Sequence, residues 1–356
     1  MKQDKYGYYH LTGCLHMHTP DSDGTKPHEE VAEIASEAGL DYLIFTDHMT
    51  LKSREKQERF HGDVLVIVGY EHNDPADKNH YLLLDSPAVY NPKFSAREYV
   101  AAGFEDGALG IIAHPDEVRS EHGTYPPYEW NDWSVEGYTG IELWNQMSEW
   151  MERLAEAGII GKLALLFSPR KFMKAPPAAS LRRWDEVNQK RPVVGVAGVD
   201  AHGFPYRLGP KTLTIFPYKV HFRSLQTHVV LKEPLDETYD TARAQLLAGL
   251  REANVYFSNR RWGDASGFQF MAHSSGQTVI SGQRLILKEE ARFEISVPRL
   301  AEIRLIRNGE QCASQTALHA VFPITRPGLY RAEARRGGKG WIFSNHIRIE
   351  SGNQAM

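Results

Sequence analysis

Apolar and polar positions alternate from Leu11 to His18, which predicts a strand presenting His16 and His18 on one face. Pro27 to Ala38 places Val31, Ile34, Ala35 and Ala38 at helical spacing, with proline near the start and Gly39 as a stop. Tyr42 to Phe45 is the next apolar run and leads into Thr46-Asp47-His48, so the first unit reads strand, helix, strand. Val64 to Val68 is continuously apolar, as a strand buried on both faces would be, and Glu71 lies just beyond it. His80 opens a short strand through Leu84, Ser95 to Asp106 reads as a helix, and Ala108 to Ala113 as a buried strand leading into His114-Pro115. Gly140 to Asn145 is a further strand, with a helix to about Ala157; Val193 to Val199 delivers Asp200-Ala201-His202. An apolar strand with a functional residue at its C-terminal end recurs at least five times, the pattern of an α/β barrel with its site on that face.

Phe167 to Ala179 reads as a loop beside the mouth, Lys211 to Pro217 as a strand and Thr238 to Glu252 as a helix. From Gly263 the texture changes. Short alternating runs, Arg292 to Val297 and Glu302 to Ile306 among them, are separated by turn signals at Ser275-Gly276, Asn308-Gly309, Pro327-Gly328 and Gly337-Gly338. These predict a small all-β, immunoglobulin-like sandwich over residues 263–356, after an α/β barrel over residues 1–262.

The chain of 356 residues is 42% hydrophobic and carries a net charge of −4, so it can bury a large core and offers no electrostatic case for a nucleic-acid partner. Its two cysteines, Cys14 and Cys312, are far apart in sequence and suit a reducing, cytoplasmic compartment. Its N-terminus lacks an apolar core, and no run is long and apolar enough to span a membrane.

The chemistry concentrates in His16, His18, Asp23, His48, Glu71, His114, Asp200 and His202. A single histidine among 16 has an ordinary surface role, but nearly every strand end here carries a His, Asp or Glu. Five imidazoles and three carboxylates converging in one mouth would repel or stay unsatisfied without cations, so two or three divalent metals are expected. His and carboxylate donors without cysteine suit Mn, Zn or Fe.

The ordered set of HxH, SDG, TDH, a glutamate after the third strand, His-Pro and Asp-x-His resembles the polymerase-and-histidinol-phosphatase (PHP) superfamily of metal-dependent hydrolases over about residues 8–260. The resemblance implies a distorted (β/α)7 barrel with a di- or trinuclear site. His16, His18, Glu71 and Asp200 would bind one metal with Glu71 bridging; His114 would hold a second, and Asp23, His48 and His202 match a third. Many members supply a His or Cys after the sixth strand, where this chain has Glu142 to Ser148, so two metals with room for a third are expected and Glu142 or Asn145 is left to fill the gap. The strand Gly140 to Asn145, the junction Gly263 to Phe268 and the segment Trp341 to Asn345 are further similar to the two-domain carbaryl-hydrolase-like branch.

The expected activity is hydrolysis of a small-molecule substrate, a phosphate monoester or diester, by water activated between metals that share Glu71. Asp200 would orient the nucleophile or carry its proton, and His80 would serve as acid to the leaving group. Arg119, Arg170, Lys171 and Arg207 would clamp an anionic group, with Asn145 beside them. The aromatic loop Tyr125 to Trp133 either lines an apolar pocket or caps the barrel. Two alternatives stand: amide, ester or carbamate hydrolysis on the same metals, and a non-catalytic binding protein stabilised by metal.

Overall fold

In the computed structural model the chain is mixed α/β; residues 1–117, 126–168, 170, 173–208, 211–214, 216–288 and 290–352 are described. The first sheet contains three parallel neighbours, β1 (Tyr9–Leu15), β2 (Tyr42–Phe45) and β3 (Val64–Val68), with α1 (His28–Ala38) between the first two in sequence. A second sheet of five strands holds β4 (Tyr70–His72), β5 (Tyr81–Leu84), β6 (Leu109–Ile112), β7 (Gly140–Asn145) and β8 (Val194–Gly198). β3 leads into β4 through Gly69, and His48 bridges Glu71 across the same seam. At the other seam Met17 bridges Ala201, and the Val199 and Asp200 N–H groups donate to the Leu15 and His16 carbonyls. The C-terminal ends of β1, β2, β3, β6 and β8 therefore come together with β4 around one mouth.

The expected uniform strand-helix repeat is interrupted at β5, which runs antiparallel to both β4 and β6. Only residues 73–80 separate β4 from β5, whereas a parallel crossover needs about a dozen or more. Among the strands that escaped the sequence pattern are β9 (Leu225–Leu231), which extends the first sheet antiparallel to β1, and β10 (Val255–Asn259), which pairs antiparallel to β9. Gln226, Thr227 and His228 hide β9, because they are buried and satisfied by the Phe222 carbonyl, the Ala197 backbone and the Ser258 hydroxyl respectively. The helix Ala178–Lys190 was obscured in the same way, with Asp185 and Asn188 on its buried face. The helix Ile159–Phe167 was also missed, and between the two helices Ser168 and residues 173–177 form the expected loop.

The C-terminal part has an apolar core of its own, built on Phe268, Phe270, Phe293, Ile303, Trp341 and Ile347. Arg292 to Arg307 is one strand of 16 residues, not two short runs; its register shifts between Ser296 and Ala301, where the pattern broke. Gly328–Arg336 and Lys339–Ser344 form a hairpin, and the second of these strands pairs directly with β10. The two parts are also locked by Asn345, whose side chain exchanges hydrogen bonds with the Gly195 backbone, and by Arg331, which forks onto Asp185. Among the described residues no helix is long and apolar enough to cross a membrane.

Candidate metal centre

Glu71 sits at the centre of the mouth, 1% exposed, at the end of the segment where β3 bends into β4. Its Oε2 lies 3.0 Å from His16 Nε2, 3.3 Å from His18 Nε2 and 3.6 Å from His48 Nδ1. Its Oε1 lies 2.6 Å from His80 Nδ1 and 3.3 Å from His114 Nε2. Asp200 Oδ1 closes the other side at 3.4 Å from His18 Nε2, 3.5 Å from His202 Nδ1 and 3.6 Å from His16 Nε2. Asp23 approaches from the loop after β1, with Oδ2 3.3 Å from His202 Nε2 and Oδ1 3.7 Å from His18 Nδ1 and 3.9 Å from His48 Nε2. All eight expected ligands thus gather here, together with His80.

The backbone aims these groups by unusual means. His16, His114 and Asp200 have φ of 65°, 27° and 52°, left-handed values that are uncommon for residues other than glycine. Each turns the chain where a strand or its extension ends, which brings the side chain inward. Gly198 makes room behind them: a Cβ there would stand 1.7 Å from Glu142 Oε1 and 3.0 Å from His16 Cβ. Gly24 is needed in the Asp23 loop, where a Cβ would meet the His18 carbonyl oxygen at 2.2 Å.

Glu142 orients the cluster from beneath. Its Oε1 accepts from His16 Nδ1 at 2.9 Å, while Oε2 accepts the His114 N–H at 2.8 Å and the Asn145 amide at 3.0 Å. Asn145 is committed as well, since its Oδ1 accepts the Ser148 N–H at 2.9 Å and caps the following helix. Both residues hold the framework of the site. The Tyr218 hydroxyl, which the sequence did not single out, lies 2.7 Å and 3.0 Å from the His18 and His202 carbonyl oxygens and ties the two ligand loops together.

His18 is fully buried, yet neither ring nitrogen has a hydrogen-bond partner; His80 Nε2 and His114 Nδ1 are likewise without one. Two ligands each about 2.1 Å from one cation lie roughly 3.0–3.5 Å apart, and most of the separations around Glu71 and Asp200 fall in or near that range. The donors divide into overlapping sets: His16, His18 and Glu71; His16, His114 and Asp200; His48, Glu71 and His80; and His18, Asp23, His48 and His202. The residues fit the binding of divalent cations.

Without cations the cluster charges itself. Burial opposes charge throughout, but Glu142, Glu71 and Asp200 push His16 well above its ordinary value, and Asp200 and Glu71 raise His18 to about 10. The same fields, against burial, hold Glu71 and Asp200 well below the carboxylate range. His80 rises to about 9 despite burial because Glu71 and Asp77 face it, whereas burial brings His48 down to about 4. Protons on imidazole stand where divalent cations would, so cation binding and proton release are coupled here.

Of the four expected substrate cations, the Arg170 side chain alone falls among the described residues. Arg170 donates to the Arg223 carbonyl and lies near Arg223, Arg260 and Arg261, away from the mouth. Arg119, Lys171 and the Arg207 side chain lie outside the described residues, as does Tyr125. A cavity of about 590 Å³ adjoins His114, Glu142 and Asn145, with Trp130, Trp133 and Trp144 in its lining. Arg153 and Arg183 are the cations that line it, and nothing in the sequence pattern separated them from other helical arginines. Tyr128 stacks on His80 with ring centroids 5.0 Å apart.

No protein-family model matches the chain, and no curated protein does. Among solved structures it is similar to a two-domain protein from Bacteroides vulgatus described as containing a predicted PHP-like metal-dependent phosphoesterase. Identity is 13%, 97% of each chain is covered and the TM-score is 0.47. A protein from Bifidobacterium adolescentis with a proposed metal-dependent phosphoesterase assignment is 16% identical, covering 66% of this chain and 95% of its own at a TM-score of 0.36. An amidohydrolase from Chromobacterium violaceum, with bound sulfate and no metal, is 14% identical, covering 56% and 92% at 0.34. At these identities and TM-scores the likenesses carry no functional argument, which falls to the geometry of the site.

Proposed function

We propose that the chain is a metal-dependent hydrolase of the PHP kind, on a distorted seven-stranded barrel, and that its substrate is a phosphate ester. The observation that supports this most is Glu71, one carboxylate set among five imidazoles that cannot all be satisfied as hydrogen-bond donors. His16, His18, Glu71, Asp200 and His114 would hold two cations, and Asp23, His48 and His202 a third. When bound, such cations supply Lewis acidity toward a phosphoryl or carbonyl oxygen and acidify water.

The chain's own residues do the rest. Glu142 fixes the His16 tautomer with Nδ1 protonated, so that Nε2 faces the centre. Asp200 places a carboxylate beside His16, His18 and His202, where it orients a water and takes its proton. His80, between Glu71 and Asp77, is positioned either as a further ligand or as a proton donor to the leaving group. The adjoining cavity receives the leaving group.

A second reading, hydrolysis of an aryl ester, amide or carbamate, is favoured by that cavity. It combines three tryptophans with Asp116, Glu117, Glu129, Glu149 and Glu152 against Arg153 and Arg183, which suits a neutral aryl group better than a second anion. Initial rates on a nitrophenyl phosphodiester, its monoester and an aryl carbamate, with Mn- or Zn-loaded protein, separate the two. Phosphate turnover above an Asp200→Asn blank is expected. Carbamate turnover alone would move the protein to the second reading, and no turnover of any of the three would count against hydrolysis of either kind.

A further inference from the structure

We infer that Asp21, His28 and Asp47 form a separate divalent-cation site, behind the Asp23 loop and apart from the centre built on Glu71. One ligand atom from each, an imidazole nitrogen and two carboxylate oxygens, lies within 4.8 Å of the others. His28 opens α1 and is 4% exposed, its ring tilted against Phe45 at 4.6 Å between centroids. Its Nε2 has no hydrogen-bond partner and faces Asp47 Oδ2 at 3.8 Å, too far for a hydrogen bond. An imidazole nitrogen buried beside two carboxylates without a bond to either is accounted for by a cation between them.

Asp47 is already fixed for this role. Its Oδ1 accepts from the Thr19 and Ser22 N–H groups and the Ser22 hydroxyl, and its Oδ2 from the Thr19 hydroxyl at 2.8 Å. One lone pair of Oδ2 remains on the His28 side. Asp21, the partly exposed member, gives a path from solvent and leaves positions for water. Lys52 Nζ, 3.3 Å from Asp21 Oδ1, stands in as a competing cation from an exposed side chain. Nitrogen and carboxylate donors suit Mn or Zn. A cation here would pin the loop from His18 to Asp23 against the end of β2, and so brace two ligands of the main centre without touching substrate.

Equivalents of Mn or Zn retained by the chelator-stripped full chain after dialysis over a range of metal concentrations test the site, with metal counted by mass spectrometry. His28→Ala should hold one equivalent fewer than the wild type. Lys52→Gln, on the surface, should take up the weakest-bound equivalent at least threefold more tightly, because the competing ammonium is gone. Equal counts in the wild type and His28→Ala would overturn the inference. So would an unchanged affinity in Lys52→Gln, which also decides the matter if His28→Ala fails to fold. The count is independent of turnover, so the site stands or falls separately from the hydrolase reading.

Discussion

Replacing Glu142 with glutamine probes the candidate centre without touching any of the eight residues of the expected ligand set. The carboxylate is 1% exposed and has three donors: His16 Nδ1 at 2.9 Å, the His114 N–H at 2.8 Å and the Asn145 amide at 3.0 Å. Glutamine preserves length and volume but presents one oxygen and one NH₂ group. Whichever way the amide is turned, an N–H donor then faces either His16 or the His114–Asn145 pair. Losing one hydrogen bond to a charged acceptor costs about 1.5–3 kcal/mol. His16 also loses the carboxylate that makes Nε2 a stronger donor, and removing such a partner lowers metal affinity about 10–100-fold. That fold-change corresponds to about 1.4–2.7 kcal/mol, so the two routes agree. Competition with a chromophoric chelator reads the affinity directly, and far-ultraviolet circular dichroism checks the fold. Affinity within about twofold of the wild type, with the fold intact, would refute the orienting role and leave Glu142 as a strand residue satisfied by local bonds.

Asp185→Ala should destabilise the chain by about 3–5 kcal/mol, because it strands a guanidinium that is 3% exposed. Arg331 meets Asp185 through Nε at 2.8 Å and Nη2 at 2.9 Å, and His346 shares the same carboxylate at 2.7 Å. Urea unfolding measures the loss, and a value under about 1 kcal/mol would show that the Arg331–Glu333 bond at 2.6 Å, within one strand, satisfies the guanidinium without Asp185. Glu149 predicts a pH dependence of the opposite sign to an ion-paired acid. Burial raises its folded value to about 7 even though the Trp144 indole and the Lys174 N–H donate to it. The folded state therefore binds more protons than the unfolded one between the ordinary value of 4.5 and about 7, and stability falls as pH rises through that window, by up to about 3 kcal/mol. Unfolding of wild type and Glu149→Gln across pH 4.5 to 8 checks this; identical slopes would reject it.

Much of the fold was legible because buried strands advertise themselves. Val64 to Val68 and Gly140 to Asn145 are buried throughout, and the apolar runs coincide with the strands observed. Two of the elements that failed have a polar buried face. Thr227 and His228 in β9, and Asp185 and Asn188 in the helix Ala178–Lys190, look like surface in a binary pattern, yet each has a partner supplied from another element. That partner is invisible until the chain is folded. The antiparallel course of β5 was readable in principle from the shortness of residues 73–80, a connection too brief for a crossover.

The candidate site was legible for a different reason. A ligand must stand where a strand leaves the core, so His16, His18, His48, Glu71, His114, Asp200 and His202 could be picked out by position and type together. The division of labour among them was not, because it depends on which nitrogen or oxygen points where. His80 read as a spare acid from its place at a strand entrance, and its surroundings, Tyr128 stacked on one side and Glu71 Oε1 at 2.6 Å on the other, emerge only in the fold. Glu142 read as a weak substitute ligand, but its two oxygens are spent on His16 and on the His114 backbone. The left-handed turns at His16, His114 and Asp200 explain why an otherwise costly backbone persists at three strand ends: only there does the side chain leave the strand direction and face Glu71 or Asp200 across the mouth. A site assembled this way depends on the orienting groups as much as on the ligands, which is why a substitution at Glu142 tests it more sharply than the loss of any single imidazole.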